Sequence, residues 1–431
     1  MELDPSQQAA VDLMLASPFC VVTGGPGVGK TTTLRAALDR MDIVGERYRL
    51  AAPTGKAAKR MSEATGREAC TIHRLLEWYR GKFLRNEQSP IESDVVVVDE
   101  SSMLDVELAA SLVRACRADT RVIFIGDANQ LPSVGPGRVL GDLVESNAVP
   151  VARLTTVHRA AAESWICRNA PRVLSGDKLE LGDKQDFRFV ECESAEDAAR
   201  YAAGLVADVG QPWAGAQILT PQRNLACGVD ALNAALQQRL NPPADGKNEW
   251  KSGDRVLRLG DRVIQTKNNY ELEVFNGEVG DVCAFPEGAF MTVDFGDRKV
   301  AYTREHAFAL ELAYALTIHK SQGSEFPWVV CVVHSSHTYM LTRNLFYTGI
   351  TRAKKGVIIV GNRKGLHAAT AAKDPPKRNT GLVDRMRELA GGPAVASSEP
   401  EAPPAATGRP PARQKHADMQ AAVAPQDDIA W

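Results

Sequence analysis

The sequence has no apolar run long enough to cross a membrane, and its first residues do not combine a basic stretch with an apolar one. A transmembrane helix needs about 18 or more consecutive apolar residues, whereas the longest strand-like runs here are Val95–Val98 and Trp328–Val333. We therefore expect neither a membrane-spanning protein nor a secretory signal peptide. A cytoplasmic location is the corresponding expectation.

Closely spaced cysteines are also absent. The eight cysteines are scattered between Cys20 and Cys331, and no two of them form a CxxC pair. Zinc ribbons and four-cysteine iron–sulfur clusters need such pairs, so the sequence excludes both kinds of site. Scattered single thiols are typical of a reduced protein with cysteines in its core.

The chain has no excess of charge of one sign. It carries 51 basic and 53 acidic residues in 431, for a formal net charge of −2. The segment 391–431 has 11 Ala and 7 Pro and no hydrophobic periodicity, so we predict a disordered tail there. A uniformly basic nucleic-acid binder is excluded, and any polyanion would have to be held by individually placed residues.

Short apolar strands alternate with helical segments over the first 160 residues, which predicts a parallel sheet covered on both faces. The predicted strands are Phe19–Thr23, Leu50–Ala52, Val95–Val98 and Arg121–Ile125, and helices are predicted from Lys30 and over Lys56–Ala64. The segment Glu77–Ser93 interrupts this rhythm and is either a projecting hairpin or a surface loop.

The pattern changes between Trp250 and Leu312, where short strand-like runs are separated by Gly and Asp. This spacing predicts a small antiparallel barrel. After it the alternation resumes, with a helix at Ala313–Gln322, a strand at Trp328–Val333, a helix at Arg343–Arg352 and a strand at Gly356–Val360. We therefore predict a second α/β domain with a β module inserted in it.

Residues Gly24–Thr31 (GGPGVGKT) match GxxxxGK[ST] between a predicted strand and a predicted helix. The glycines let backbone N–H groups face phosphates, Lys30 brings a positive charge to the β and γ oxygens, and Thr31 offers a hydroxyl to Mg²⁺. After a buried valine strand, Asp99 would hold Mg²⁺ and Glu100 would orient and deprotonate the attacking water. These elements predict a nucleotide hydrolase without specifying which kind.

The stretch Gly126–Gly137 (GDANQLPSVGPG) resembles motif III of superfamily 1 helicases, in particular the RecD and Dda type of superfamily 1B. In that family the glutamine, here Gln130, senses the γ-phosphate and couples it to the DNA-binding surface. A neutral amide can both donate to a phosphate oxygen and accept from water, which suits that role. The other family motifs follow in order over about residues 1–390. They are the Q motif at Gln7, motif Ia at Ala52–Ala58, the adjoining DNA-contact motif at Thr71–His73, motif IV at His158–Arg159, motif V at Ala315–Glu325 and motif VI at Tyr347–Ala353.

The resemblance implies two RecA-like parallel-sheet domains, a small SH3-like β-barrel insert and a short β-hairpin pin. The implied boundaries are 1–155 for the first domain with the hairpin at about 77–93, 156–249 and 313–390 for the second, 250–312 for the insert and 391–431 for the tail. Because the Q motif begins at residue 3, we expect a compact form without the long N-terminal extension of some relatives.

The resemblance also implies residue roles. The catalytic residues would be Lys30, Glu100, Gln130, Arg159 and Arg352, with Arg352 as the arginine finger. ATP would be bound by Gln7, Gly24, Gly25, Gly27, Gly29, Lys30, Thr31, Thr32, Gln130, Arg159, Gly323, Glu325 and Arg352. Magnesium would be held by Thr31 and Asp99. DNA would contact Pro53, Thr54, Lys56, Thr71, His73, Thr317, His319, Lys320 and Ser321.

The implied function is an ATP-dependent helicase that moves 5′ to 3′ on single-stranded DNA and opens forked DNA, as a monomer, in replication, recombination or repair. Three alternatives stay open: an RNA-directed or dual-specificity relative, a non-catalytic subunit, and a P-loop ATPase unrelated to nucleic acid. The aromatic residues at 78, 79 and 83 also fit simple local packing. The ending Asp427–Trp431 (DDIAW) resembles the tip of bacterial single-stranded-DNA-binding proteins, so the tail is either a docking segment for a replication or repair partner or only solubilising.

Overall fold

The computed structural model describes residues 3–157, 163–181, 186–208, 215–269, 271–286, 290–371, 378 and 380–391. From residue 392 onward, the tail that the sequence predicts to be disordered lies outside the described residues. Within these ranges, no helix is both long enough and apolar enough to span a bilayer.

A six-stranded parallel sheet with strand order β3-β2-β6-β7-β1-β8 forms the first α/β domain. The strands of this part of the chain are Phe19–Thr23 (β1), Tyr48–Ala52 (β2), Ala69–Thr71 (β3), Trp78–Tyr79 (β4), Lys82–Phe83 (β5), Val95–Val98 (β6), Arg121–Gly126 (β7) and Val151–Arg153 (β8), of which β4 and β5 pair separately as a hairpin. The helices are Pro5–Ala16 (α1), Lys30–Val44 (α2), Gly55–Thr65 (α3), Ile72–Leu75 (α4), Val106–Arg114 (α5) and Val139–Ser146 (α6). Because β6, β7 and β1 are neighbours and parallel, the segments that follow them meet at one edge of the sheet.

The four valines of β6 show why this strand lies in the sheet interior. Val95 and Val97 pack into one apolar cluster with Leu34, whereas Val96 and Val98 pack into another with Phe124. All four valines are fully buried. Alternate side chains therefore enter cores on opposite faces, as the uninterrupted apolar run predicts.

A five-stranded parallel sheet with the order β18-β10-β19-β20-β9 forms the second α/β domain. The remaining strands are Phe187–Glu191 (β9), Gln217–Thr220 (β10), Glu249–Ser252 (β11), Arg255–Arg258 (β12), Arg262–Gln265 (β13), Val279–Ala284 (β14), Met291–Asp294 (β15), Lys299–Tyr302 (β16), Leu310–Leu312 (β17), Ala315–Thr317 (β18), Phe326–Val333 (β19) and Ala353–Gly361 (β20). The remaining helices are Trp165–Ser175 (α7), Ala195–Ala207 (α8), Val229–Leu240 (α9), Arg343–Ile350 (α10), Arg363–Ala371 (α11) and Leu382–Leu389 (α12).

The inserted module lies between β10 and β18 along the chain. Its strands β13 to β17 form an antiparallel sheet in the order β16-β15-β14-β13-β17, and β11 pairs with β12 as a hairpin. The predicted short strands are thus present. The predicted barrel is not closed, because within the described part of the module β16 and β17 are the two edges of an open sheet.

The prediction of a helix over Ala313–Gln322 is wrong. Residues 315–317 form strand β18 beside β10, and only His319–Ser321 make a short 3₁₀ turn. The side chain of Asn233 fixes the strand, because it accepts from the Ala315 N–H at 2.7 Å and donates to the Ala315 carbonyl at 3.1 Å. Tertiary pairing therefore overrides the local helical pattern.

The last described helix, α12, differs from its predicted place in the second domain. It packs against α6 of the first domain, where Met386 joins an apolar cluster and Arg387 donates to the Glu145 carbonyl at 3.0 Å. Just before it, Arg378 donates to the carbonyls of Ser133 and Gly137, each at 2.8 Å. The chain thus returns to the first domain after α11, because α12 has an apolar partner there.

A buried polar cluster joins β10 to the segment after β19. His337 is fully buried, and its Nδ1 accepts from the His334 N–H at 3.2 Å. The proton is therefore on Nε2, which faces Thr220 Oγ1 and Cys227 Sγ, each at 3.3 Å. Burial, followed by the nearby His334, lowers the pKa of His337 to about 4. The imidazole is a neutral structural donor at pH 7.

This cluster predicts an acid-sensitive contribution to stability. Because the pKa of His337 is lower in the folded chain than in the unfolded one, the unfolded chain binds the proton more tightly. Stability from this group is complete above about pH 6.5 and is lost as the pH falls toward 4, by about 3 kcal/mol in total. Urea unfolding from pH 7.5 to 4 should show this loss in the native chain and not in His337→Gln.

The exposed His367 provides the control. His367→Gln should keep the acid dependence of the native chain. If His337→Gln lost stability with the same pH profile as the native chain, the buried neutral imidazole would not be its source.

Candidate nucleotide site and nucleic-acid interface

The glycine-rich loop between β1 and α2 adopts the backbone that its sequence requires. Gly27 and Gly29 have φ values of 74° and 78°, which other residues rarely adopt. Lys30 begins α2, and its Nζ donates to the carbonyls of Gly24 at 2.7 Å and Gly25 at 3.0 Å. The lysine thus lies along the loop whose N–H groups are expected to face phosphates. Nearby, Thr31 is exposed and Thr32 is half-buried, in the first turn of α2.

Two carboxylates follow β6 directly. Burial, and then the charge of Glu100, raise the pKa of Asp99 to about 6. Glu100 has a left-handed backbone with φ 51°, and its N–H donates to Asp99 Oδ1 at 2.8 Å. Adjacent, poorly neutralised carboxylates fit a divalent cation, and strained backbone often marks functional positions. Among the described residues no group of three or more Asp, Glu, His or Cys could hold a metal by itself, so the fit is to Mg²⁺ that nucleotide phosphates would also bind.

The glutamine of the motif III segment follows β7, the strand next to β6 in the first sheet. Gln130 is 8% exposed, and its Nε2 donates to Asp127 Oδ2 at 3.4 Å. Asp127 is itself buried, and its Oδ1 accepts from the Asn129 N–H at 3.0 Å. The phosphate loop, the two carboxylates and this glutamine therefore occupy the same edge of the first sheet, because β1, β6 and β7 are adjacent.

Gln7, predicted to bind ATP, is buried and hydrogen-bonded within the protein. It is 1% exposed, its Nε2 donates to the Val28 carbonyl at 3.3 Å, and its Oε1 accepts from the Asp4 N–H at 3.2 Å. The glutamine thereby ties the start of α1 to the phosphate loop. Motif IV, at His158 and Arg159, lies outside the described residues.

The predicted arginine finger is buried in the second domain. Arg352 is 3% exposed, its Nη1 donates to the Ser324 carbonyl at 3.2 Å, and its Nε donates to the Thr348 carbonyl at 3.3 Å. These contacts hold the guanidinium at the end of α10. To reach a phosphate it would have to exchange these carbonyls for the new acceptor.

Motif V residues predicted to bind the nucleotide contact helix α3 of the first domain. Arg60 pairs with Glu325 at 2.7 Å and donates to the Gly323 carbonyl at 3.2 Å. Lys354 also pairs with Glu325, at 3.0 Å. Glu325 thus has two cationic partners in this structure, and Arg60 is a cross-domain contact that no motif in the sequence indicated.

The residues predicted to contact DNA on the first domain lie at helix starts. Thr54 is the N-cap of α3 and accepts from the Ala57 N–H at 3.2 Å, and Pro53 precedes it. Thr71 is the N-cap of α4 and accepts from the Arg74 N–H at 3.1 Å. Helix N-termini attract phosphate groups, so these positions suit a nucleic-acid backbone.

Lys56 and His73 occupy more enclosed positions. Lys56 Nζ lies 5.3 Å from the centre of the Phe326 ring, and burial, with Arg262 and then Arg60 nearby, lowers its pKa to about 8. His73 packs against Trp78 of the hairpin, with ring centres 6.0 Å apart, and burial lowers its pKa.

The corresponding residues of the second domain surround the 3₁₀ turn after β18. Thr317 Oγ1 accepts from the Lys320 N–H at 3.1 Å, and Lys320 Nζ pairs with Glu311 at 2.9 Å. Burial lowers the pKa of His319. Ser321 is fully buried and donates to the Ile318 carbonyl at 2.7 Å, so its side chain supports the turn.

The segment after α4 contains the predicted hairpin. Trp78 pairs with Phe83, with ring centres 4.6 Å apart, and the turn residues Arg80 and Gly81 have φ values of 45° and 81°. Two positive φ values match the tight turns that join twisted strands. Tyr79 is 57% exposed at the tip, so an aromatic surface projects from the first domain.

Three sequence families match successive parts of the chain. The AAA domain family matches residues 2–194, the ATP-dependent RecD-like DNA helicase SH3 domain matches 232–295, and the UvrD-like helicase C-terminal domain matches 312–360. Their order follows the first sheet, the insert and the second sheet.

Individual similar proteins are RecD proteins, in agreement with the matched RecD-like domain. The chain is 41% identical over 385 residues to the ATP-dependent RecD2 DNA helicase of Deinococcus radiodurans, which covers 89% of this chain and 52% of the relative. It is 34% identical over 427 residues to the RecBCD enzyme subunit RecD of Mycobacterium tuberculosis, covering 88% of this chain and 73% of that protein. The chain thus spans about half the length of the first relative.

Solved structures support the fold. A Pif1 helicase studied in DNA unwinding at forked double-stranded DNA matches with a TM-score of 0.58 and 20% identity, over 91% of this chain and 98% of that one. Bacteroides Pif1 bound to single-stranded DNA matches with a TM-score of 0.57 and 18% identity, over the same shares of both chains. The solved structures share the fold, and the RecD relatives together with the matched domains show that the chain belongs to the RecD-like helicase family.

Proposed function

We propose that this chain couples ATP hydrolysis to 5′-to-3′ movement on single-stranded DNA and thereby unwinds duplex DNA. The observation that carries the proposal is the edge of the first sheet, where the phosphate loop, the carboxylates after β6 and Gln130 converge opposite the second domain. A γ-phosphate bound there would be within reach of groups from both domains. The polarity rests on the family resemblance alone.

Each residue of this edge has a proposed role. Lys30 and the loop N–H groups bind the β- and γ-phosphates, Thr31 and Asp99 hold Mg²⁺, and Glu100 deprotonates the attacking water. When bound, Mg²⁺ neutralises charge on the phosphate oxygens. Gln130 distinguishes ATP from ADP through its amide. The remaining predicted ATP contacts are Gln7, Gly24, Gly25, Gly27, Gly29, Thr32, Arg159, Gly323, Glu325 and Arg352.

Closure of the cleft would drive the movement. Arg352 gains a charge-assisted contact with the γ-phosphate when the domains approach, and hydrolysis removes that contact. DNA would be gripped alternately by Pro53, Thr54, Lys56, Thr71 and His73 on one domain and Thr317, His319, Lys320 and Ser321 on the other. Hydroxyl and amide groups bind phosphates without reading bases, so binding should tolerate any sequence.

The proposed domain limits are 1–155, 156–249 with 313–371, and 250–312, with the hairpin at about 77–93 as the pin that separates strands. The return of α12 to the first domain suggests that the second domain ends near residue 371.

For the tail, we keep the hypothesis that Asp427–Trp431 docks a replication or repair protein through acidic and apolar groups. Titration of a labelled peptide of the last ten residues, with and without Trp431, tests it. A cytoplasmic monomer is the proposed state.

Strand displacement tests the function directly. With ATP, the chain should open a duplex that has a 5′ single-stranded tail and leave a duplex with a 3′ tail intact. Poly(dT) should stimulate ATP hydrolysis more than poly(U). An RNA-directed enzyme would show the reverse order. Efficient opening of only the 3′-tailed duplex would contradict the proposed polarity, and no nucleic-acid stimulation would contradict the helicase assignment.

The exposed ring at the hairpin tip predicts a separable defect. Tyr79→Ala removes an aromatic surface while keeping the Trp78–Phe83 pair and the ring contact to His73. Because stacking on a base contributes about 1–3 kcal/mol, strand separation should fall about tenfold. ATP hydrolysis stimulated by single-stranded DNA should change less than about twofold.

Tyr201 on α8 is 44% exposed and provides a matched control outside the hairpin. Tyr201→Ala should unwind as the native chain does. An equal fall of unwinding and ATP hydrolysis in Tyr79→Ala would mean that the hairpin only stabilises the first domain.

A further inference from the structure

A buried tyrosine of α10 reaches from the second domain to the nucleotide edge of the first. Tyr347 and Asp127 are each 1% exposed, and the tyrosine hydroxyl donates to Asp127 Oδ2 at 2.7 Å. The hydroxyl oxygen also lies 3.2 Å from the position that a Cβ on Gly25 would take. This side chain therefore contacts both motif III and the phosphate loop.

Two further hydrogen bonds hold the same segment of the first domain. The Leu131 N–H donates to Thr348 Oγ1 at 2.9 Å, and the Leu131 carbonyl accepts from Gln322 Nε2 at 2.9 Å. All the groups involved are buried. The segment that carries Gln130 is thus bound to the second domain on both sides, at Asp127 and at Leu131.

One oxygen links the tyrosine to the phosphate sensor. Asp127 Oδ2 accepts from the Tyr347 hydroxyl at 2.7 Å and from Gln130 Nε2 at 3.4 Å. A short bond from a hydroxyl to a carboxylate is strong, and the second donor is then held only weakly. Burial, and then the charge of Asp127, raise the pKa of Tyr347 well above its usual value, so the hydroxyl remains a donor.

We propose that Tyr347 is a positioning residue that acts through Asp127 to release Gln130 toward the nucleotide when the two domains close. In the closed arrangement the hydroxyl satisfies Asp127, and the amide is free to turn to a phosphate oxygen. When the domains separate, Asp127 loses the hydroxyl and holds the amide more tightly. The inference rests on the proposed function, because it needs a γ-phosphate for Gln130 to contact.

The test variant is Tyr347→Phe, which removes one oxygen and keeps the ring. Losing a buried hydrogen bond to a charged group typically changes an equilibrium about tenfold or more. We expect the kcat of DNA-stimulated ATP hydrolysis to fall about tenfold, with the KM for ATP changing less than about threefold. Adding Asp127→Asn should restore part of the kcat, because a neutral amide holds Gln130 less tightly than a carboxylate does.

A matched control lies elsewhere in the chain. Tyr314 is 9% exposed, and its hydroxyl donates at 2.9 Å to Asp261, which is fully buried. Tyr314→Phe removes the same kind of bond away from the nucleotide edge, so it should lower thermal stability and leave kcat within about twofold. Thr348→Val removes the acceptor for the Leu131 N–H, whereas Thr348→Ser keeps it. This second pair of variants remains informative if Tyr347→Phe is unstable.

The outcomes separate the inference from the proposed function. DNA-stimulated ATP hydrolysis by the native chain supports the function and is the baseline for every variant. A normal kcat in folded Tyr347→Phe, a kcat that falls equally in Tyr314→Phe, or no recovery with Asp127→Asn would each overturn the inference. If Tyr347→Phe does not fold, equal kcat values in Thr348→Val and Thr348→Ser would overturn it.

Discussion

Arg352→Ala should lower DNA-stimulated ATP turnover by about 10³-fold or more, because an arginine finger typically contributes about 10³–10⁵ to the rate. Arg352 is only 3% exposed at the end of α10, so it is not a surface ion-pair residue. Its measurement is single-turnover hydrolysis with saturating poly(dT). Arg352→Lys keeps the charge without the planar guanidinium, so its ATP turnover should lie between those of the native chain and Arg352→Ala.

The loss of Arg352 also leaves the carbonyls of Ser324 and Thr348 without this donor. A control must therefore report the effect of removing a buried arginine as such. Arg258 is 5% exposed in the insert and donates to the Asn241 carbonyl at 3.2 Å. Arg258→Ala should be destabilised without a comparable loss of turnover. Normal DNA-stimulated hydrolysis by Arg352→Ala would show that the two-domain catalytic site is wrong.

Glu100→Gln should lower ATP turnover by about 10²–10⁴-fold while ATP and Mg²⁺ still bind, because it neutralises only the carboxylate that we propose activates the water. The amide has the same shape as the carboxylate, so the left-handed backbone of residue 100 should stay as it is. Equilibrium binding of a fluorescent ATP analogue, together with single-turnover hydrolysis, separates binding from chemistry.

Two comparisons sharpen this result. Lys30→Ala should lose nucleotide binding as well as turnover, because its Nζ is placed along the phosphate loop. Glu107→Gln, at an exposed site on α5, should behave as the native chain does. Turnover by Glu100→Gln within a few-fold of the native value would remove Glu100 from the catalytic role and leave Asp99 as the remaining carboxylate.

The sequence determined the α/β class, the two parallel sheets and the position of the phosphate loop, because these depend on local patterns. Four consecutive β-branched valines favour a strand buried on both faces, and GGPGVGKT needs the left-handed glycines that the loop shows. The hairpin was one of two local solutions for residues 77–93, and the positive φ at Arg80 and Gly81 shows which one forms.

Tertiary structure decided the features that depend on distant partners. Residues 315–317 have a helical pattern but form a strand, because β10 and the Asn233 side chain supply hydrogen bonds that no local window contains. Helix α12 packs on α6 because an apolar surface is available there, although the chain reaches it from the second domain.

The same division holds for the site. The resemblance of the motifs to those of a helicase family predicted Gln130 and Arg352, but it did not indicate that Tyr347 bonds to Asp127 or that Arg60 pairs with Glu325. Such pairs lie more than 200 residues apart, and a hydroxyl or a guanidinium fits many partners equally well in sequence. Only the packing of the two domains brings these groups within hydrogen-bonding distance, so the contacts between the motifs are set by the tertiary structure, and the motifs themselves by the sequence.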